Sequence, residues 1–331
     1  MILDFPVNIT RKTVAVSERG FGTILILDTE TEREFTYLDA KSIEDLGEGK
    51  AKNIATRLFM QKPQPQAVAI IGSVGKGAEV FKKALEANKD FFFVVCTDNT
   101  LETIKAVSEL CQVNNKVYAV TINDLEDVEV LGKEVFDNTF VAYHDLEDAY
   151  LAEGVAVIMS YKIGGKTAKF KQVQGVKEAN VSLTDLQKLH ENKIFTYINK
   201  LGVLQTTEGK VLSGEYIDVV LGEYWIRFRM EERMQRLALT QDKIPYTNLG
   251  IGMLVSVAER VLNEAVDMGI VEEGQYRVDY RRREDVDSNE VASRVYNHIV
   301  WTAMLQGAIH SGQISGILTY DLVNKEEEVE E

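Results

Sequence analysis

The chain has 331 residues, 45% of them hydrophobic, enough to bury a sizeable core and to divide into two or three domains. Its 52 Asp and Glu outweigh 37 Lys and Arg, a formal net charge of −15, the opposite of the cationic excess by which a protein displaces counterions from nucleic acid. No apolar run approaches the roughly 18–20 residues of a membrane helix, Cys96 and Cys111 cannot build a disulfide framework and point to a reducing compartment, and none of His144, His190, His298 and His310 stands at metal-ligand spacing from another His or Cys.

The opening MILDFPVNIT carries an acid early and lacks an apolar stretch, so a secretory signal is not expected. Val7 and Ile9 alternate with Asn8 and Thr10, and Pro6 suits an edge. Residues 1–20 therefore read as an extended arm, too short to be stable without something to pair with. Gly20 and Gly22 separate it from an apolar strand at Thr23–Leu27. From there to about residue 160, strands and helices alternate. Ala51, Ile54, Ala55, Leu58 and Phe59 mark one helix face, ended by QKPQPQ; Ala67–Ile71 is a strand, Val80–Ala87 a helix and Phe91–Cys96 a strand. Asn99 and Glu102 are spaced as a capping box for a helix carrying Ile104, Val107 and Cys111. Strands at Val117–Ile122 and Thr139–Tyr143 precede a helix near Tyr150–Met159. Continuous apolar strands between helices indicate a mostly parallel, doubly wound α/β domain over 21–160.

Residues 161–210 are rich in Gly, Lys and Thr around a capped helix at Leu183–Asn192, a small connecting region. A C-terminal α+β unit over 211–322 opens with a helix placing Ile226, Met230, Met234 and Leu237 on one side. Its second helix carries Ile251, Leu254, Val255, Ala258, Val261, Leu262 and Ala265, with Thr247 or Asn248 as cap and Gly269 at the left-handed terminus. A strand over Tyr276–Arg282 follows, then a short helix with Asp287 and Glu290 spaced as a capping box, and β-rich stretches at Ile299–Leu305 and Gln313–Leu322. Residues 323–331 form an acidic, solvated tail.

Three clusters invite a chemical reading. Gly72-Ser73-Val74-Gly75-Lys76-Gly77 lies between a strand and a helix, where backbone N–H groups can cradle phosphate. The spacing fails both standard patterns: a Walker A loop needs Gly at the position of Ile70 and Ser or Thr at that of Gly77, and the dinucleotide fingerprint has a different order. A flexible βα turn is the plainer reading, with a nucleotide-binding α/β enzyme using Gly72–Gly77 as the alternative. His144 and Asp145 sit at a strand end, but adjacent strand residues point apart and no nucleophile elbow accompanies them. Arg229, Arg233 and Arg236 share a helix face and Arg281–Arg283 form a second basic cluster; salt bridging to Glu231, Glu232 and Asp285 and pairing with another subunit are equally open. No catalytic, cofactor or metal residue is expected. Both ends are extended and short of local partners, and unpaired strand groups are an aggregation hazard unless a strand from another chain, or from the same one, satisfies them.

Residues 214–239, Lys243-Ile244-Pro245-Tyr246-Thr247 before a long helix, YRVDYRRRE, and Gly307-Ala308-Ile309-His310 before a terminal strand resemble the contractile tail sheath proteins of phages and phage-tail-like bacteriocins. The likeness is strong beyond about residue 210 and looser before it. It implies a structural subunit, not an enzyme, without cofactor. It would polymerise with itself in hexameric rings stacked helically around an inner tail tube protein, meet baseplate and tail-terminator proteins, and neither bind nucleic acid nor enter a membrane. Assembly in the bacterial cytoplasm, into a virion tail or a released bacteriocin particle, is implied too. The resemblance places inter-subunit strand arms at Val7, Asn8 and Ile9 and at Ile314, Ile317, Leu318 and Tyr320. It also places a tube-facing helix at Asp287–Asn297, with Asp287, Glu290, Val291, Arg294 and Asn297 as contacts.

Overall fold

The computed structural model describes residues 20–87 and 90–316. In chain order it contains β1 (Ile24–Asp28), β2 (Arg33–Leu38), α1 (Lys50–Phe59), β3 (Val68–Gly72), α2 (Gly77–Glu86), β4 (Phe93–Cys96), α3 (Leu101–Val113), β5 (Val117–Ile122), α4 (Asp127–Leu131), β6 (Thr139–Tyr143) and α5 (Leu151–Ser160). The strands form one sheet in the order β2-β3-β1-β4-β5-β6, parallel throughout except for β2, which runs antiparallel to β3 at the edge. Strand β2 was not legible in the sequence, because REFTYL is half exposed and lacks the apolar run of its neighbours.

Alternation along each strand divides the core in two. Ile24 and Ile26 of β1 face α1 and α5, while Leu25 and Leu27 face α2 and α3. Every residue of β1 and β3 through β6 is buried, which is why those strands read as unbroken apolar runs. The expected box at the start of α3 does not form. Asn99 Nδ2 donates to Thr121 O at 2.9 Å, and Asp98 instead accepts from the Thr100 N–H and the Thr103 hydroxyl. Gly77 opens α2 because a Cβ there would lie 2.7 Å from Thr103 Cγ2 and 3.0 Å from Cys96 Sγ.

Beyond α5, helix α6 (Leu183–Glu191) carries a full capping box between Ser182 and Asp185. The hairpin β7 (Tyr197–Lys200) and β8 (Val203–Thr206) turns through Leu201 and Gly202, both at positive φ, as a two-residue hairpin loop of this twist requires. Phe195 bridges in parallel to Ala142, so this segment continues the sheet past β6. The last unit comprises α7 (Ile217–Thr240), α8 (Asn248–Met268), β9 (Val271–Tyr280), a 3-10 turn at Arg283–Asp285, α9 (Ser288–Ser293) and β10 (Ile299–Leu305). The N-terminal half of α7 is buried, with Phe228 stacked on Phe21 and edge-on to Phe92. Its apolar stripe outruns that cover, and Met234 and Leu237 are only half buried. Gly164, at φ 70°, fixes the seam to the body: a Cβ there would meet Gly222 Cα at 2.6 Å, and one on Gly222 would meet Ile270 Cγ2 at 2.7 Å.

Glu153, in the first turn of α5, is wholly buried and accepts from the Thr121 N–H and hydroxyl. Burial pushes its carboxyl up to about 7 against those hydrogen bonds and Arg57. A folded value above the unfolded one means that stability is fullest below about pH 4.5 and declines as pH rises to about 7, by roughly 3 kcal/mol. Glu153→Gln, which mimics the neutral acid, should remove most of that decline. Urea unfolding at pH 5 and pH 8 should then give nearly equal free energies.

Candidate functional site

The parallel strands follow the order of a doubly wound fold whose ligand crevice opens between the carboxyl ends of β1 and β4. Here that crevice is filled by the chain itself. Thr29 and Thr97 bond across it, hydroxyl to hydroxyl at 2.9 Å. Asp28, 1% exposed, takes Arg33 Nε at 2.8 Å and the Glu30 and Thr31 N–H groups. The Gly72–Gly77 turn is equally occupied. Ser73 N–H donates to Asp28 O and Gly75 N–H to Thr29 O. The Glu32 carboxylate, held below the usual carboxylate range chiefly by the Ser73 hydroxyl, accepts from that hydroxyl and from the Val74 N–H, so two donors of the turn already have an anionic partner. His144 is buried, with Nδ1 3.0 Å from the Leu146 N and 3.3 Å from Asp145 Oδ1, so the two neighbours do meet just past the end of β6, and with Nε2 3.0 Å from Lys177 O. It is a structural histidine.

The chemistry that remains open lies in the last unit. Strands β9 and β10 pair antiparallel, Ile299 opposite Tyr280 through Ala303 opposite Tyr276, and form a sheet of their own. One face, with Tyr276, Val278 and Ala303, packs on the core around α8. The other carries Arg277, Asp279 and Val300 in the open. Strand β9 starts five residues before the expected Tyr276 and is interrupted at Gly274 (φ 72°). Among the described residues no strand pairs with either outer edge. Exposed Trp301, Met304 and Leu305 lie along β10. The signal for this surface was present in the sequence, as apolar residues at both parities of the strand.

Between the two strands, the segment 281–298 is stitched onto the turn at Lys243–Thr247. Tyr246 Oη donates to Val295 O at 2.8 Å and meets the Tyr296 ring edge-on at 5.9 Å. The Arg283 N–H donates to Asn248 Oδ1 at 2.7 Å, and Tyr296 Oη donates to Arg281 O. Thr247 caps α8, and a Cβ on Gly250 would collide with Pro245 O at 1.9 Å, so this corner needs glycine at 250. Helix α9 is shorter than expected. Asp287 is its cap, bonded to the Asn289 N–H, and Glu290 turns to His298 Nε2 at 2.6 Å instead of closing a box. Arg294 leaves the helix at φ 61°, and Asn297 lies beyond it. Asp287, Arg294 and Asn297 are exposed; Glu290 and Val291 are half buried. Of the residues that shape this surface, Tyr246 entered the sequence reading only within the Lys243–Thr247 motif and His298 only as a histidine without metal-ligand spacing, and Tyr296 was not singled out, because aromatic rings in a loop give no periodic signal.

Of the arm residues, Ile314 is fully exposed in a segment without regular structure. Val7, Asn8, Ile9, Ile317, Leu318 and Tyr320 lie outside the described residues. The arginine face of α7 is salt-bridged within the chain, one of the two readings left open: Arg229 to Glu232 at 2.6 Å, and Arg233 in a fork to Glu264 of α8, a partner that spacing alone did not reveal. Farther out, α7 and α8 diverge around a cleft of about 730 Å³ lined by Leu237, Leu249, Met253 and Val257.

Residues 217–282 match the family model of the E217 tail sheath protein gp31-like, C-terminal domain. No curated protein sequence matches the chain. Among solved structures it is similar to the helical sheath of the anti-feeding prophage in its contracted state (TM-score 0.68, 11% identity, 97% of this chain and 100% of that one). It is also similar to the contracted PVC sheath complex of an extracellular contractile injection system (TM-score 0.66, 11%, 97% and 99%). A chain of the anti-feeding prophage baseplate is similar too (TM-score 0.65, 12%, 97% and 100%). The mixed α/β fold is thus the fold of contractile sheath proteins, as the resemblance implied.

A nucleotide at about 100 times its Kd would stabilise the fold by roughly 2.7 kcal/mol, several degrees in Tm. With Glu32 seated in the turn, ATP, ADP and GTP should leave the thermal midpoint where it is, in a scan with and without each.

Proposed function

We infer that the chain is a structural subunit of a contractile tail sheath, one that polymerises around an inner tube and contracts to drive the tube through a target-cell envelope. The observation that carries this is the β9–β10 pair, whose outer edges have no strand partner among the described residues and whose β9 lies within the residues 217–282 that match a tail sheath family model, in a chain whose α/β crevice is bridged by Thr29 and Thr97. The unit around 211–322 then forms the lattice. The body over 21–160, extended by 161–210, is carried outside it, and the protein is not an enzyme.

In this reading the edges are acceptors. Arm strands around Val7–Ile9 and Ile314–Tyr320 of neighbouring copies add to β9 and β10, giving their backbone groups directional partners and linking subunits into stacked six-membered rings. An arm joined by such a ladder can stay joined while subunits rotate, so the lattice shortens without coming apart. The surface of α9, with Glu290, Val291 and Arg294, faces the tube, and the ends of the polymer meet baseplate and tail-terminator proteins. Assembly takes place in the bacterial cytoplasm, before the particle, a virion tail or a bacteriocin, is released. Contraction needs no nucleotide. Burying about 100 Å² more apolar surface per subunit yields roughly 2–3 kcal/mol, repeated over every copy.

Deleting residues 1–12, or truncating before Gln313, should leave a folded subunit that forms no tubes by electron microscopy; ordered contractile tubes from either truncation would remove arm exchange. Arg294→Glu should weaken attachment to the tube protein without moving Tm, since both side chains tolerate the same backbone geometry there. Undiminished co-sedimentation with the tube would take Arg294 out of the contact.

A further inference from the structure

After Leu305 the chain leaves β10 and has no regular structure, yet it is held at two more points. The Gln306 N–H donates to Ile270 O at 3.0 Å. Four residues on, His310 is sunk into a niche on the connecting region: Nε2 lies 2.7 Å from Thr167 Oγ1, Nδ1 lies 2.9 Å from Glu208 Oε1, and the ring meets Tyr216 edge-on at 4.8 Å. Its side chain is 11% exposed. On either side the chain is open, with Ile309 at 89% and Ile314 at 100%.

Every polar atom of the niche has a partner. The Lys169 N–H donates to Thr167 Oγ1, which shares a hydrogen bond with His310 Nε2, and His310 Nδ1 shares one with Glu208 Oε1. Burial works to raise the Glu208 carboxyl, but Lys169 and His310 outweigh it and keep it ionised. The histidine is gripped at both ring nitrogens by residues 102 and 143 positions away, which ties the segment after β10 to the connecting region.

We propose that His310 is a positioning residue: it fixes the point at which the C-terminal arm leaves its own subunit and so selects the neighbouring copy that the arm can reach. This rests on the arm-exchange reading above. From His310 to Ile314 an extended chain spans about 14 Å; without the clasp the last fixed point is Gln306, and the span is about 27 Å. Doubling the reach enlarges the searched volume about eightfold, dilutes the arm at its proper acceptor and admits wrong ones.

The test uses the full chain with a nitroxide on Ile309→Cys. Native Cys96 and Cys111 do not compete, since both are fully buried and burial pushes the Cys96 thiol up to about 12. His310→Ala should mobilise the label, His310→Gln, which can still bond to Thr167 and Glu208, should restore it, and Tm should move by only a few degrees. The alanine variant should also lose about fivefold or more of its ordered tubes to irregular aggregate. A label equally immobile in wild type and His310→Ala would overturn the clasp. A mobilised label with tubes of wild-type yield and symmetry would overturn neighbour selection. If wild-type protein forms no polymer while the label is still freed by His310→Ala, the sheath reading fails and the clasp stands.

Discussion

Backbone N–H and C=O groups must find partners, and on the outer edges of β9 and β10 the described chain supplies none. Isolated two-stranded sheets are marginal, and α8 beneath this one covers a single face. A strand from outside the described residues, of this chain or of another, would complete it. The other features of the C-terminal unit follow from holding that incomplete sheet still. The Pro245 corner and the Tyr246–Tyr296 contact fix the segment between the strands, and the seam of Gly164, Gly222 and Ile270 fixes α7 to the body.

Rigidity elsewhere is the complement of that open edge. A sheet buried on both faces, with helices packed closely enough to exclude a Cβ at Gly77, has little freedom to deform. In the proposed sheath such a body moves as a unit, so area gained between subunits is not lost to distortion within them. The same architecture in other proteins leaves a crevice for a ligand. Here Thr29 and Thr97 bond across it, and Glu32 takes donors of the neighbouring Gly72–Gly77 turn, which illustrates that a fold carries no function until its particular side chains are placed.

Legibility in the sequence followed periodicity. Helix α8 was plain from its apolar stripe, Thr247 and Gly269, and the parallel strands from their length and apolar continuity. Strand β2 and the start of β9 were hidden because half-exposed edge strands mix polar and apolar residues without a period. Box spacing at Asn99/Glu102 and at Asp287/Glu290 was misleading for one physical reason: a better partner from elsewhere, Thr121 O in the first case and His298 in the second, took one member of each pair.

By itself the sequence determined the fold class, the order of most elements and the apolar faces on which they pack, since these depend on local period and on burial that any compact arrangement must satisfy. Tertiary structure alone decided that the Gly72–Gly77 turn is filled by Glu32, that Arg233 pairs with Glu264 and that His310 is gripped by Thr167 and Glu208. Those contacts join residues tens to more than a hundred positions apart, and no local pattern encodes a distance that exists only after the chain has closed on itself.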